Sequence, residues 1–67
     1  MNITLNNRPE SFEQNSLSIN QLLEIKKYTF KMLDIKINGE LIKKDQYSSF
    51  IIKDGDDVSV LHLISGG

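Results

Sequence analysis

The last two residues, Gly66 and Gly67, are the part of this 67-residue chain whose chemistry is simplest to state. A main-chain carboxyl at Gly67 is ionised at neutral pH, so it is an anion and an oxygen nucleophile. Because glycine has no Cβ, a terminal pair of glycines forms the slimmest segment that could enter a partner's active site. Glycine makes up about 7% of average protein composition, so such a pair ends roughly one chain in 200 by chance. A cloning remnant or a truncation is the uninformative explanation.

The side chains offer little competing chemistry. The chain has no Cys, which excludes disulfides, thiolate zinc sites and cysteine nucleophiles. His62 is the single histidine, without a second His or spaced carboxylates to form a metal site, so a packed or edge-exposed strand residue is expected. Asp54, Asp56 and Asp57 lack the ligand spacing of an EF-hand loop and indicate a solvated turn. The serines have no base positioned by any motif, so hydrolytic chemistry has no support.

Length, charge and hydropathy limit the possible partners. A chain of 67 residues predicts a single domain over residues 1–67, near the lower limit for independent folding. Eight basic and nine acidic residues give a net charge of −1, which argues against a nucleic-acid binder. No apolar run approaches the roughly 20 residues that cross a bilayer, and the N-terminus does not resemble a secretory signal. We therefore expect a small soluble cytoplasmic domain with no nucleic-acid and no membrane partner.

The first elements follow from local patterns. Residues 1–6 alternate apolar and polar side chains, which predicts a half-buried strand. Turn-forming residues occupy positions 6–9, and a short second strand over residues 10–14, with Phe12 as its large apolar side chain, would complete a hairpin.

The helix has the clearest start signal in the chain. Ser18 is suited to be the N-cap, and Gln21 three residues later completes a capping box. Leu17 and Leu22 occupy the two positions of a hydrophobic staple. These features predict a helix over residues 19–28.

The next elements form a second hairpin. Phe30, just beyond the helix, is expected to fold back under the sheet. Residues 33–37 alternate apolar and polar side chains, which predicts a third strand. Asn38-Gly39 is typical of a two-residue type I′ turn, which needs positive φ at both central positions, and residues 40–42 begin the return strand.

The end of the chain predicts one more long strand. Residues 43–49 indicate an irregular or 3₁₀ connection, and residues 50–52 are expected to pack under it. After a turn at residues 54–56, a strand over residues 58–64 is the longest and most apolar. Such a strand belongs at the sheet centre, beside and parallel to the first strand. Two hairpins separated by one helix predict an α+β mixed sheet with the helix across one face.

This order resembles a β-grasp, or ubiquitin-like, fold: a mixed sheet of four to five strands with one helix packed across one face. The whole chain is further similar to the sulfur carrier proteins of thiamine biosynthesis, the ThiS family. The features that carry this resemblance are the strand at the start of the chain and three motifs: Ile37-Asn38-Gly39-Glu40, Asp54-Gly55-Asp56 and the terminal Gly66-Gly67.

The resemblance implies a protein that is acted on by enzymes and is not one itself. A ubiquitin-activating-type adenylyltransferase, which uses ATP, would join AMP to the carboxylate of Gly67. A sulfur-transfer enzyme would then supply the sulfur of a terminal thiocarboxylate (1-thioglycine), which thiazole synthase consumes. Ser65, Gly66 and Gly67 would form a flexible tail reaching about 10 Å beyond the last strand. The carrier would bind no cofactor and no metal, and without Cys the main-chain terminus is the candidate for carrying sulfur.

The last strand also suggests a docking surface. Leu61 and Leu63 are either plain sheet core or part of an exposed apolar patch. If Val58 and Val60 face the helix, Leu61 and Leu63 face the other side of the sheet. So short a chain has no further element to cover that side, and apolar side chains there would be exposed. On this reasoning we predict Leu61, Leu63 and Ile64 as the partner interface.

Two alternative functions stay open at this point. The small subunit of molybdopterin synthase uses the same Gly-Gly terminus but is usually somewhat longer. A non-catalytic β-grasp binding module would not need a free terminus, so residues added after Gly67 would leave its activity intact. An enzyme in its own right is disfavoured, because no acid–base pair, nucleophile or cofactor loop is visible in the sequence.

Overall fold

The computed structural model describes residues 1–28 and 32–62. Five strands form a mixed sheet in the order β2-β1-β7-β4-β5, and β3 pairs with β6 in a separate two-stranded sheet. The elements in chain order are β1 (Asn2–Leu5), β2 (Arg8–Ser11), β3 (Ser16–Ser18), helix α1 (Ile19–Ile25), β4 (Leu33–Ile37), β5 (Glu40–Ile42), a 3₁₀ turn (Lys44–Gln46), β6 (Ile51–Lys53) and β7 (Asp57–His62). The predicted α+β class is confirmed.

The central position of the last strand is confirmed. β7 runs parallel to β1, with Leu5 opposite Val58, and antiparallel to β4, from Leu33 opposite His62 to Ile37 opposite Val58. The described part of β7 ends at His62, so the predicted continuation to residue 64 lies outside the described residues. The prediction for Phe30 lies outside them as well.

The core lies between helix α1 and the five-stranded sheet. The sheet contributes alternate side chains from its strands, as period-two patterning requires. Of the two forms expected for residues 43–49, irregular or 3₁₀, the 3₁₀ turn is present at Lys44–Gln46. Tyr47 after it is buried, and this burial raises the pKa of its phenol. The buried apolar side chains are Ile3, Leu5, Leu17, Ile19, Leu22, Ile35, Ile37, Ile42, Tyr47, Ile52, Val58 and Val60.

The start of helix α1 is as predicted. The Ser18 hydroxyl accepts a hydrogen bond from the backbone N–H of Gln21 at 3.1 Å, and the Gln21 side chain accepts one from the backbone N–H of Ser18 at 2.8 Å. Both bonds of the capping box are therefore present. Leu17 and Leu22, at the staple positions, are buried.

The end of the helix was predicted wrongly. The helix stops at Ile25 and not at residue 28, because Lys27 adopts a left-handed conformation with φ 58°. The N–H of Lys27 donates to the Glu24 carbonyl and the N–H of Tyr28 donates to the Leu23 carbonyl. These two bonds form a Schellman motif. Glycine is the usual residue at this left-handed position, so a lysine there gave no stop signal.

The second strand is also shifted from its predicted place. It spans Arg8–Ser11 and not residues 10–14. The turn takes only Asn6 and Asn7, whose φ angles are 51° and 66°. Pro9 lies inside the strand, which is tolerated because β2 is at the edge of the sheet, where no neighbour requires a proline N–H.

The two-stranded sheet was not predicted. In it, Leu17 of β3 lies opposite Ile52 of β6. Both side chains are buried. Of the segment over residues 50–52, which was expected to pack under the connection, Ile52 lies in the core, Phe50 is partly buried and Ile51 is exposed. Each strand is only three residues long, which is too short for an alternation to be recognised.

Loss of the helix cap is expected to destabilise the domain measurably. Ser18→Ala leaves the N–H of Gln21 without its side-chain acceptor, which costs about 1 kcal/mol of unfolding free energy. Urea denaturation followed by circular dichroism measures the change. Ser16→Ala is the matched control, because Ser16 is an exposed serine in the same strand. Equal midpoints for the two variants would contradict the role of the cap.

Candidate functional site

The candidate site is built around the end of β7. Of the residues that the sequence singles out there, Leu61 and His62 are described and both are exposed. Leu63, Ile64, Ser65, Gly66 and Gly67 lie outside the described residues. Their assignment to the interface, the tail and the modified terminus therefore stays a prediction.

Leu61 lies on the face of the sheet that is opposite to helix α1. Along β7, Val58 and Val60 are buried, whereas Ser59 and Leu61 are exposed. This alternation follows from the pleat of a strand that has the helix on one side. The Leu61 side chain is 57% exposed. Of the two predictions for it, sheet core or exposed apolar surface, the second is therefore correct.

The neighbouring strands extend this exposed face. Leu61 lies opposite Asp34 of β4, and Ser59 lies opposite Lys36. On the far side of β4, Lys36 lies opposite Leu41 of β5, which is 53% exposed. Directly opposite residues point to the same side of a sheet. We call the surface formed by Asp34, Lys36, Leu41, Ser59 and Leu61 the open face.

The open face combines two large apolar side chains with one acidic and one basic side chain. Leu41 was not identified from the sequence as part of a surface. Adjacent side chains of a strand point to opposite faces, so with Ile42 buried Leu41 lies on the other face. An apolar pair with a mixed polar surround is suited to protein contact and gives no site for a small anion or cation.

The aspartates before β7 stabilise a turn. Asp54 Oδ1 accepts a hydrogen bond from the backbone N–H of Asn2 at 2.6 Å. Asp56 Oδ2 accepts one from the backbone N–H of Lys53 at 2.9 Å, and its Oδ1 accepts one from Asn38 Nδ2 at 3.1 Å. Gly55 between them has φ 87°. Within residues 1–28 and 32–62, no group of three or more His, Cys, Asp or Glu side chains could hold a metal ion.

A cavity of about 450 Å³ lies between the first hairpin and the end of the helix. Lys26 and Glu10 form an ion pair at this cavity. The hydrogen bond from Lys26 Nζ to the Glu10 carboxylate raises the pKa of Lys26. Lys26 and Glu10 compensate each other, so Arg8 contributes the remaining charge among the lining residues of the cavity. Its lining residues are Leu5, Asn6, Arg8, Glu10, Lys26 and Tyr28.

The end of β7 is held by a side chain as well as by strands. Asn6 Oδ1 accepts a hydrogen bond from the Val60 N–H at 2.8 Å, and Asn6 Nδ2 donates to the Val60 carbonyl at 3.1 Å. The sequence had indicated Asn6 only as a turn residue. The contact of its side chain with Val60 can be recognised only when β1 and β7 are known to lie side by side.

In the part of the chain that the structure describes, no helix has the length and apolar character required to cross a membrane.

Comparisons with known proteins agree over the full length of the chain. The model of the ThiS family matches residues 3–67. The crystal structure of a thiamine biosynthesis protein (ThiS) from Geobacter metallireducens is 30% identical, with a TM-score of 0.90 and 100% of both chains covered. An NMR solution structure of a thiamine biosynthesis protein from Geobacter metallireducens is also 30% identical, with a TM-score of 0.80 over 100% of this chain and 88% of that one. No curated protein matches the chain. The predicted β-grasp fold is confirmed by these likenesses.

Proposed function

The chain belongs to the ThiS family, and from this membership we propose that it is a sulfur carrier protein of thiamine biosynthesis. The observation that carries the proposal is the family match over residues 3–67, which includes the terminal Gly66-Gly67. The two solved structures that resemble it over its whole length are both named for thiamine biosynthesis. Small carrier proteins of this type are in general not enzymes, so the chemistry belongs to partner proteins.

The proposed reaction begins at the carboxylate of Gly67. One of its oxygens attacks the α-phosphorus of ATP held by a ubiquitin-activating-type adenylyltransferase, and pyrophosphate leaves. The resulting acyl adenylate is activated, because AMP is a far better leaving group than oxide. A sulfide-level sulfur supplied by a sulfur-transfer enzyme then attacks the acyl carbon and expels AMP, which leaves a thiocarboxylate in place of the carboxylate. Thiazole synthase consumes this sulfur.

The composition of the chain supports a main-chain carrier. The sequence contains no Cys, so a side-chain persulfide cannot form. Gly66 and Gly67 have no Cβ atoms, which suits passage through a narrow channel to ATP. ATP is the adenylyltransferase's ligand in this scheme, and the carrier itself needs no cofactor. We place this ATP-dependent reaction in the cytoplasm.

We propose that partners dock on the open face next to the tail. Leu61 supports this, because it is exposed on β7 shortly before the terminal residues. Leu63 and Ile64 continue the same segment and complete the proposed interface. A contact at this place would bring the adenylyltransferase or thiazole synthase close to Gly67.

Genetic complementation tests the pathway. The chain, produced with the adenylyltransferase and thiazole synthase of its own organism, is expected to restore growth without thiamine to a bacterium that lacks its own thiamine sulfur carrier. It should not restore molybdenum-cofactor enzymes to a strain lacking the small subunit of molybdopterin synthase. Rescue of the second strain alone would show that the protein functions in the molybdopterin pathway. Rescue of neither would favour a non-catalytic binding module.

A further inference from the structure

The pairing between β1 and β7 ends before β7 does. The backbone N–H of Thr4 donates to the Asp56 carbonyl at 3.0 Å, and the backbone N–H of Asn6 donates to the Val58 carbonyl at 2.9 Å. At Asn6 and Asn7 the backbone then enters left-handed conformations and turns away into β2. β7 continues to His62, so β1 supplies no backbone partner for Val60.

The side chain of Asn6 takes the place of the missing strand. A carboxamide carries the same donor and acceptor as a peptide group. Asn6 uses both on one residue: its Oδ1 accepts from the Val60 N–H at 2.8 Å, and its Nδ2 donates to the Val60 carbonyl at 3.1 Å. On the other side of β7, Val60 lies opposite Ile35 of β4. At Val60, β7 therefore has β4 on one side and the Asn6 side chain on the other, and both backbone polar groups of Val60 bond to Asn6.

The neighbouring residue shows that turn formation does not require this contact. Asn7 also adopts a left-handed conformation, with φ 66°, and is exposed. Among the residues that the structure describes, its side chain has no hydrogen-bond partner. Asn6 thus makes two bonds beyond those that its turn position demands.

We infer that Asn6 is a positioning residue, which fixes the end of β7 from which the terminal carboxylate is delivered to the adenylyltransferase. The inference rests on the proposed function. Val60 lies two residues before the described end of β7 at His62, so a shift of its backbone moves that end of the strand. Reaction at a bound nucleotide is sensitive to such displacements, since about 1 Å can cost on the order of 100-fold in rate. Holding the strand in advance also lowers the ordering cost of binding.

The test compares Asn6→Asp with Asn7→Asp. Both variants add the same charge at adjacent left-handed positions that aspartate tolerates. In Asn6→Asp an oxygen replaces the Nδ2 donor and faces the Val60 carbonyl, whereas Asn7→Asp has no side-chain hydrogen bond to lose. The rate of ATP-dependent adenylation is measured as a function of carrier concentration with the adenylyltransferase of the same organism.

Asn6→Asp is expected to lower kcat at saturating carrier about tenfold and to raise KM as well, because Leu61 of the open face follows Val60 directly. Asn7→Asp should match the wild type in both constants. A purely structural role would give a different pattern, because a partly unfolded carrier raises the apparent KM and keeps the kcat at saturation. If Asn6→Asp fails to fold, Asn6→Gly removes both bonds while accepting the positive φ, and the same loss of kcat is expected.

Equal kcat values for Asn6→Asp and Asn7→Asp, with the wild type active, would overturn the inference and leave the proposed function intact. A wild-type chain that is not adenylated would overturn the proposed function and the inference with it. The two failures are thereby distinguished in one experiment.

Discussion

Deletion of Gly67 is expected to abolish formation of the acyl adenylate and of the thiocarboxylate. The new terminal carboxylate, on Gly66, would be displaced by one residue, or about 3.5 Å. Since a displacement of about 1 Å can cost on the order of 100-fold, we expect a loss of roughly 1000-fold or more in kcat/KM. Adenylyltransferase-dependent release of pyrophosphate measures it.

A chain extended by one alanine after Gly67 is the companion variant. It keeps every residue of the wild type but moves the carboxylate further out, so it should fail to the same degree. Urea denaturation midpoints of both variants should equal that of the wild type, because no core residue is changed. Full activity of the extended chain would show that the carboxylate of Gly67 is not the reacting group.

Leu61→Lys is expected to weaken binding of the adenylyltransferase about 100-fold. Removing an ammonium from water into an apolar contact costs on the order of 3 kcal/mol even beside the Asp34 carboxylate, which corresponds to that change in Kd. Folding should be preserved, because Leu61 is 57% exposed and its opposite residue on β4 is Asp34, a carboxylate that favours a cation. Isothermal titration calorimetry with the purified partner measures the affinity.

Ile51→Lys is the matched control for the docking surface. Ile51 is 43% exposed and lies on β6, in the two-stranded sheet and away from β7. The same change of side chain there should leave the affinity as in the wild type. Similar losses at Leu61 and Ile51 would remove the case for docking on the open face, since a general effect of surface charge would explain both.

The parts of the fold that the sequence predicted are those with local signals. Ser18 and Gln21 mark the start of the helix within four adjacent positions, and both capping bonds are present. Asn38 and Gly39 carry the positive φ angles, 52° and 84°, that a two-residue turn requires. In each case the physical cause lies in neighbouring residues, so no knowledge of the rest of the chain was needed.

The wrong or missing parts depend on tertiary context. Lys27 ends the helix in a left-handed conformation, which the presence of a lysine does not predict. Pro9 is tolerated in a strand only because that strand lies at the sheet edge. The pairing of β3 with β6 joins Leu17 to Ile52 across most of the domain. None of these features has a local pattern, so periodicity and turn chemistry could not reveal them.

The candidate site shows the same division. The chemistry proposed for Gly67 comes from the sequence, because a chain without Cys and with terminal glycines has few other groups to offer, and it stays a prediction. The exposure of Leu61 followed from the alternation of β7. The contact of Asn6 with Val60 was not predictable, since it joins residues that are far apart in the sequence and depends on where β1 turns away from β7.

Intact-protein mass spectrometry of the chain, produced together with its adenylyltransferase and sulfur-transfer enzyme, tests the central proposal most directly. The account predicts a discrete second species, heavier than the unmodified chain by the difference between one sulfur and one oxygen, with fragmentation placing the added mass on Gly67. The species should be absent when Gly67 is deleted. A single unmodified mass in the presence of active partners, or the added mass found on any residue other than Gly67, would contradict the account.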